Sequence, residues 1–309
     1  MKGTNSCSCG TVFRISPNGG DYTTLHYFAS GANDGSSPSS GLARGNDGNF
    51  YGTAGAGAHG AGVVFRISSS GSYTNLYSFG SVPADGSNPN GGLVPGSDGN
   101  FYGTASEGGT NTCSCGVVYR ISPGGSYTTL YSFHGYPDGS TPEAGLVLGS
   151  DGNFFGTTYT GGTNNVYAYG TLFRISPGSS YTTLYSFGPQ NRGSYPQSPL
   201  VQGSDGDFYG TTYESGTGFR GTVFKLFANL PSPANQMNGI SVAGTDIVIT
   251  VASVAGETYQ LQYATDLTSG NWSNVGGVAV TNSIGGPLTV TNFGGALSPG
   301  RYYRLAITP

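Results

Sequence analysis

The chain has 309 residues, including 56 Gly, 22 Tyr and 16 Phe, and only 8% of it is charged, for a formal net charge of −4. That length allows about two domains; the aromatic content separates the chain from disordered sequences, and Gly without a three-residue period excludes collagen. A negative balance with few lysines argues against nucleic acid, which needs a basic face, and no apolar run is long enough to insert in a membrane.

The opening Gly3-Thr4-Asn5-Ser6-Cys7-Ser8-Cys9-Gly10 copies Gly109–Gly116 with one exchange, so the chain opens inside a repeat, whether earlier repeats were removed or the start is by design. Met1-Lys2-Gly3-Thr4 shows no apolar stretch of a signal peptide. Gly10–Ser16 (G-T-V-F-R-I-S) reads as a strand, ended by Pro17-Asn18-Gly19-Gly20, and Tyr22–Phe28 as its hairpin partner. Ala29–Ser40 is a loop rich in Asp, Gly, Ser and Pro. Gly41-Leu42-Ala43 starts a short strand, Asn46-Asp47-Gly48 is a turn whose Gly accepts positive φ, and Asn49–Thr53 is the next strand.

These elements recur. Asp47, Asp98, Asp151 and Asp205, spaced 51, 53 and 54 residues apart, each precede Gly-(Asn/Asp)-Phe-(Tyr/Phe)-Gly-Thr. The motif of Gly10 returns at Gly62, Gly116, Gly170 and Gly221, and that of Tyr22 at Tyr73, Tyr127 and Tyr181. Labelling the strands of one unit a to d, three complete units (Gly41–Phe79, Gly92–Phe133, Gly145–Phe187) lie between an opening c-d pair and a closing a-b-c unit, Pro199–Phe227. The repeats therefore amount to 17 strands. A long period made only of short strands points to a β-propeller. The expected fold is therefore all-β: a four- or five-bladed propeller over residues 1–228, strand a nearest the axis, a Pro-containing linker at 229–236, and an immunoglobulin-like antiparallel β-sandwich over 237–309. Six strands are expected in that sandwich, at Ile240–Val242, Asp246–Val251, Thr258–Ala264, Val275–Val280, Leu288–Asn292 and Tyr302–Ile307, with Trp272 as its anchor.

Blades stack face to face, so a cation repeated on strand c needs a partner. Arg14, Arg66, Arg120, Arg174 and Lys225 hold that position, and each is expected to meet a carboxylate or backbone carbonyls. The acids of the a–b turn, and Asp34, Asp85 and Asp138 of the d–a loop, admit two readings. Calcium would want several converging oxygens; capping of each Asp's own turn needs only local donors, and is favoured. His26, His59 and His134 sit at different repeat positions, His26 in place of a strand Tyr, with no metal-ligand spacing. No nucleophile elbow is present. Cys7/Cys9 and Cys113/Cys115 occupy the same b–c loop of two repeats. They are expected to be oxidised within each loop or to bridge neighbouring molecules, not to form one zinc site. Tyr136, Tyr167, Tyr169 and Tyr195 lie in loops and offer faces for sugars, and Asn271-Trp272-Ser273 is the single N-x-S/T sequon.

The copies of D-G-N-F-Y-G-T with G-T-V-F-R-I resemble the tandem-repeat family called GloVer, found in bacterial surface and secreted proteins, over roughly residues 3–227. The core motif also resembles repeats of other bacterial propellers. The tail, from G-E-T-Y-Q-L-Q-Y-A-T-D-L to R-Y-Y-R-L, resembles an immunoglobulin- or fibronectin-III-like module. The resemblance implies an exported, propeller-like protein and carries no catalytic residues.

The function expected from the sequence is that of a non-enzymatic extracellular or cell-surface protein without cofactor, a subunit of a self-assembling fibre or surface layer; the alternative is a glycan-binding or adhesion module. The fibre reading rests on strand c being supplied twice. Val12, Phe13 and Ile15 in its first copy, and Val223 and Phe224 in its last, are the expected assembly strands. An open edge templates pairing with another chain, and a head-to-tail contact propagates unless it closes into a ring.

Overall fold

The computed structural model describes residues 9–29, 34–82, 84–163, 169–188, 193–203, 205–215 and 220–227, and beyond these the strands and one short stretch within 237–308. Among them every element is a β-strand, and no helix is long and apolar enough to cross a membrane. A hairpin comes first, β1 (Thr11–Ile15) with β2 (Tyr22–Tyr27). Three four-stranded sheets follow, each antiparallel and in chain order. They are β3 (Ala43–Arg44), β4 (Phe50–Ala54), β5 (Val63–Ile67) and β6 (Tyr73–Ser78); β7 (Val94–Pro95), β8 (Phe101–Ala105), β9 (Val117–Ile121) and β10 (Tyr127–Ser132); then β11 (Val147–Leu148), β12 (Phe154–Thr158), β13 (Thr171–Ile175) and β14 (Tyr181–Ser186). A three-stranded sheet, β15 (Val201–Gln202), β16 (Phe208–Thr212) and β17 (Thr222–Leu226), completes the repeats. The seventeen strands are those that the motif spacing requires.

The sheets stack in sequence, each laying one face on the next. Val12 and Phe28 of the first pack with Phe65 and Ile67 of the second. Tyr51, Val64 and Phe79 pack with Phe101, Tyr119 and Ile121, and Tyr102, Val118 and Phe133 with Phe154, Phe173 and Ile175. Adjacent residues of a central strand point to opposite faces, yet Val64 and Phe65 are both buried, because each sheet is covered on both sides. Aromatic pairs mark the joints: Tyr51 stacks on Phe101 and Tyr102 on Phe154, each with centroids 4.0 Å apart. Further out, Tyr77 stacks on Tyr127 at 4.2 Å and Tyr131 on Tyr181 at 3.9 Å. The short strands a lie side by side, β3 next to β7 and β7 next to β11. These are blades of the β-propeller type. Each c–d pair carries a β-bulge, as between Val64 and Phe65 and between Leu172 and Phe173, which increases the local twist.

The Gly that opens strand c has a steric cause. Gly62 and Gly116 have φ of +106° and +94°, and a Cβ there would stand 2.3 Å from Pro89 Cδ and 2.6 Å from Pro142 Cδ. Each Gly therefore lets the b–c loop of one repeat meet the proline of the following d–a loop. At the inner ends a threonine clasp joins neighbours: Thr104 Oγ1 donates to the Ala144 carbonyl at 2.9 Å, and Thr53 Oγ1 to the Gly91 carbonyl at 3.4 Å.

The C-terminal part forms two antiparallel sheets. One is β18 (Met237–Ala243), β19 (Asp246–Ser253) and β23 (Gly286–Asn292); in the other β20 (Thr258–Ala264) pairs with β21 (Ser273–Asn274), β22 (Val280–Thr281) and β24 (Tyr302–Thr308). Of the expected strand Val275–Val280, Val275 follows β21 outside any strand and Val280 opens β22, while residues 276–279 lie outside the described residues. The linker 229–236 and Trp272 lie outside the described residues. By backbone proximity the chain separates into two compact units, Met1–Val201 with Tyr209–Lys225, and Gln202–Phe208 with Leu226–Pro309.

Candidate functional site

Where the d–a loops enter strands a, the inner ends of four repeats enclose a cavity of about 520 Å³, within the range of small-ligand pockets. Its floor is apolar, with Leu42, Leu93 and Leu146 at one repeat position. Close packing of backbone dictates small residues beside it: a Cβ on Gly145 would stand 3.2 Å from the Gly92 nitrogen. The residue after the loop proline supplies polar groups, Ser39, Asn90, Glu143 and Gln197 in successive repeats. Ser39, Asn90 and Gln197 are exposed, whereas Glu143 is half-buried. Burial pushes the Glu143 carboxyl above the usual carboxylate range, and no hydrogen bond or ion pair reaches it among the described residues. Among the described residues no Lys, Arg or His lines the cavity.

A rim of tyrosines adjoins Glu143. Tyr159 is half-buried, and its hydroxyl is raised first by burial and then by the charge of Glu143, with Tyr195, Glu214 and Tyr213 adding smaller contributions. Tyr159 and Tyr195 rings lie 5.0 Å apart, and Tyr169 and Tyr195 5.9 Å. Backbone hydrogen bonds hold the cluster: Tyr195 N–H donates to the Tyr169 carbonyl at 2.9 Å, and Tyr213 N–H to the Tyr195 carbonyl at 3.0 Å. The rim belongs to the last two repeats. Gly55 and Ser106 stand where Tyr159 and Tyr213 do. A part-desolvated carboxylate and amides around an apolar floor, with flat aromatic faces next to the carboxylate outside that lining, suit a ligand with hydroxyl donors and apolar C–H faces.

Of the loop tyrosines read from the sequence, the structure brings Tyr169 and Tyr195 together. Tyr136 stands elsewhere, 61% exposed, and Tyr167 lies outside the described residues. Glu143, Asn90, Gln197 and Tyr159 were not singled out from sequence. Their signal was present: they are positions where otherwise matching repeats diverge.

The repeated acids are occupied by donors of their own turns. Asp47 accepts from Asn49 N–H at 3.1 Å, Asn49 Nδ2 at 2.7 Å and Tyr51 Oη at 2.7 Å; Asp98 takes the same three donors from Asn100 and Tyr102. The bonds from Asn49 and then Tyr51 hold the Asp47 carboxyl below its usual value. Burial, and then the bond to Asp47, push the Tyr51 hydroxyl up to about 12. In the d–a loop, buried Asp85 accepts from Tyr77 Oη at 2.7 Å and Gly80 N–H at 3.1 Å. Asp138 accepts from Tyr131 and from His134 N–H. At Asp34, His26 Nε2 lies 2.9 Å from a carboxylate oxygen, so His26 fills the role of Tyr77. Among the described residues no group of three or more His, Cys, Asp or Glu is arranged to hold a metal.

Cross-strand pairing sets Arg66 opposite Tyr51, Arg120 opposite Tyr102 and Arg174 opposite Phe155. Arg66 and Arg120 neighbour the tyrosine hydroxyls, and Arg174 Nη1 reaches Asp151 at 3.9 Å. Arg14 is exposed and has no partner among the described residues. No strand b is described beside β1, so nothing presents a tyrosine or carboxylate to it. Lys225 Nζ lies 5.4 Å from the Tyr209 ring centroid. Cys113 and Cys115 form a disulfide; Cys9 is also disulfide-bonded, and Cys7 lies outside the described residues. Of the expected assembly strands, Val12 is buried, Phe13 and Ile15 are each 53% exposed, and Val223 is 80% exposed. Phe224 is half-buried and meets Phe187 edge to face at 5.2 Å.

A family model described as the Gloeobacter/Verrucomicrobia repeat matches residues 1–113 and 97–307. No curated protein matches the chain. The chain is similar at a low level to three solved structures. One is a provisionally assigned gluconolactonase, at 13% identity and TM-score 0.43, with 78% of each chain covered. The second is the extracellular domain of a provisionally assigned hybrid two-component system from B. thetaiotaomicron, at 12% identity and TM-score 0.45, covering 96% of this chain and 42% of that one. The third is puromycin hydrolase, at 13% identity and TM-score 0.41, covering 87% of this chain and 42% of that one. The chain thus spans less than half the length of the latter two, and likeness at this level carries nothing about activity.

Proposed function

The chain belongs to the Gloeobacter/Verrucomicrobia repeat family, and from that premise we propose that its repeats form a non-enzymatic scaffold that binds a glycan at the mouth of the cavity, outside the cell. The observation that carries the reading is Glu143, a half-buried carboxylate without a partner among the described residues, facing a cavity of about 520 Å³ beside the tyrosine rim. Burying a charge unpaired is costly, and a bound ligand's hydroxyls repair that deficit with charge-assisted hydrogen bonds. Non-enzymatic is preferred because, among the described residues, Glu143 is the one carboxylate in the lining of the cavity and Glu214 belongs to the tyrosine rim outside that lining, whereas hydrolysis of a glycosidic bond uses a facing pair. The extracellular placement draws support from the Cys113–Cys115 disulfide, since such bonds persist in oxidising compartments. The test is a glycan array with the full chain and with Tyr159→Ala and Tyr195→Ala. Binding by the parent that both variants lose supports the reading; an array blank for the parent sinks it.

Self-association into a fibre or surface layer is the second reading. Phe13 and Ile15 are each 53% exposed and Tyr22 58%, whereas Phe65 and Ile67, at the same positions of the second sheet, are buried against its neighbour. A second copy's last sheet, with Val223 80% exposed, offers the kind of face that these residues meet inside the repeats. Light scattering decides it. Concentration-dependent polymers abolished by Phe13→Asp support the reading, and a monodisperse monomer at all concentrations removes it.

A further inference from the structure

The charge balance at the cavity narrows the ligand further. This step rests on the glycan reading above. Three of the four polar positions around the mouth are neutral, Ser39, Asn90 and Gln197, and the fourth is Glu143. The rim adds a second carboxylate, Glu214, close enough to act on Tyr159 together with Glu143. Among the described residues no cationic side chain lines the cavity to balance them, although basic side chains elsewhere in the repeats stand beside tyrosines or a carboxylate. The protein can form such pairs and here leaves the acid open.

A neutral sugar would satisfy the lone pairs of Glu143 but leave its charge in place. An ammonium satisfies both, and the tyrosine faces beside it attract cations through the ring quadrupole. We propose that the ligand is an amino sugar with a free amine, its ammonium paired with Glu143 and its ring lying against Tyr159. Asn90, Gln197 and Ser39 then take the remaining hydroxyls as donors and acceptors. Nothing is transferred in this step: the complex is an ion pair with hydrogen bonds.

The experiment is calorimetric titration of the full chain with a glucosamine tetramer and with its N-acetylated counterpart, equal in length and linkage but neutral. The amine form is expected to bind about tenfold tighter or better, as a charge-assisted bond in a half-buried site allows. Glu143→Gln is expected to erase that preference, the larger loss falling on the amine form, whose ion pair it removes. Gln197→Lys, at an exposed position, places a competing cation at the mouth and is expected to act in the same direction should the first variant fold poorly. Equal affinity for both tetramers overturns the amine assignment and leaves glycan binding standing. A preference for the amine that survives both substitutions overturns the role of Glu143. Absence of binding to either tetramer by a chain that binds other glycans on the array overturns the inference alone, and absence of binding to any glycan overturns both readings.

Discussion

Arg174 reaches Asp151 at 3.9 Å in the repeat where Phe155 replaces the tyrosine of its neighbours. In the two preceding repeats the tyrosine hydroxyl takes the aspartate, Tyr51 on Asp47 at 2.7 Å and Tyr102 on Asp98 at 2.9 Å. Without that hydroxyl, the arginine on the next strand is the donor left facing the turn. The pairing expected for every arginine is therefore conditional on what strand b presents.

Adding the hydroxyl back tests this. Phe155→Tyr should raise stability by about 0.5–1.5 kcal/mol and Tyr102→Phe lower it by a similar amount, the usual net worth of one hydrogen bond. Urea unfolding of the full chain measures both. The contribution at Asp47 has a defined pH dependence. Its folded pKa is depressed, so the stabilisation is present above the unfolded value of about 3.9 and is lost as pH falls through the folded value. The deficit of Tyr51→Phe should accordingly be full at pH 7 and shrink in strong acid.

Glu143 has the opposite sign. Its folded pKa is raised by burial, so stability is full below the unfolded value of about 4.3 and declines as pH rises through the folded value. Tyr159 is the described titratable group that feels its charge. Glu143→Gln should therefore melt higher than the parent at pH 7 and alongside it at pH 3.5. A residue that costs stability where it stands fits a binding role; a lower melting point at pH 7 would give the carboxylate a structural role instead.

The threonine clasps predict a contrast. Thr104→Val strips the Ala144 carbonyl of a buried donor at 2.9 Å and should cost about 1–2 kcal/mol. Thr157 stands at the same position of the next repeat, but its buried hydroxyl has no partner. In the repeat that follows it, Ser198-Pro199 stands where Ala144-Gly145 stands after Thr104. Thr157→Val should be neutral or stabilising by up to about 1 kcal/mol. Equal losses at the two sites would remove the clasp as an explanation.

Gly116→Ala sets a Cβ 2.6 Å from the Ala105 carbonyl and 2.6 Å from Pro142 Cδ, at φ +94°, and should cost more than about 1 kcal/mol. Gly124→Ala is the control, with Ser122 Oγ at 3.8 Å as its nearest neighbour; its effect should stay within about 0.5 kcal/mol.

The repeats were legible because their turns and strands are written in residues with few alternatives. Asp47-Gly48 fixes a turn, Gly62 a backbone conformation, and Val63–Ile67 a run that only a doubly covered strand tolerates. Val275 was read as opening a strand because it begins a β-branched run, whereas it stands outside any strand, just after β21. The site was hidden for a different reason. Glu143 and Tyr159 stand 16 residues apart in sequence, before β11 and after β12, and the antiparallel pairing of that repeat brings them together, with Tyr159 N–H donating to the Thr141 carbonyl at 2.9 Å. A motif search rewards what recurs, whereas these side chains carry information by failing to recur.

The joint between the third and fourth sheets differs from the others. Thr157 clasps nothing there, and Leu184 and Tyr185 remain 37% and 38% exposed where Leu130 is buried, since the last sheet has three strands and no d strand to cover them. Under tension this seam should part first, as an array held by nearest-neighbour contacts fails at its weakest joint. Tyr159 stands on one side of the seam and Tyr213 on the other. A molecule lodged between them would act as a suture, and the force needed to peel the repeats apart would report its presence.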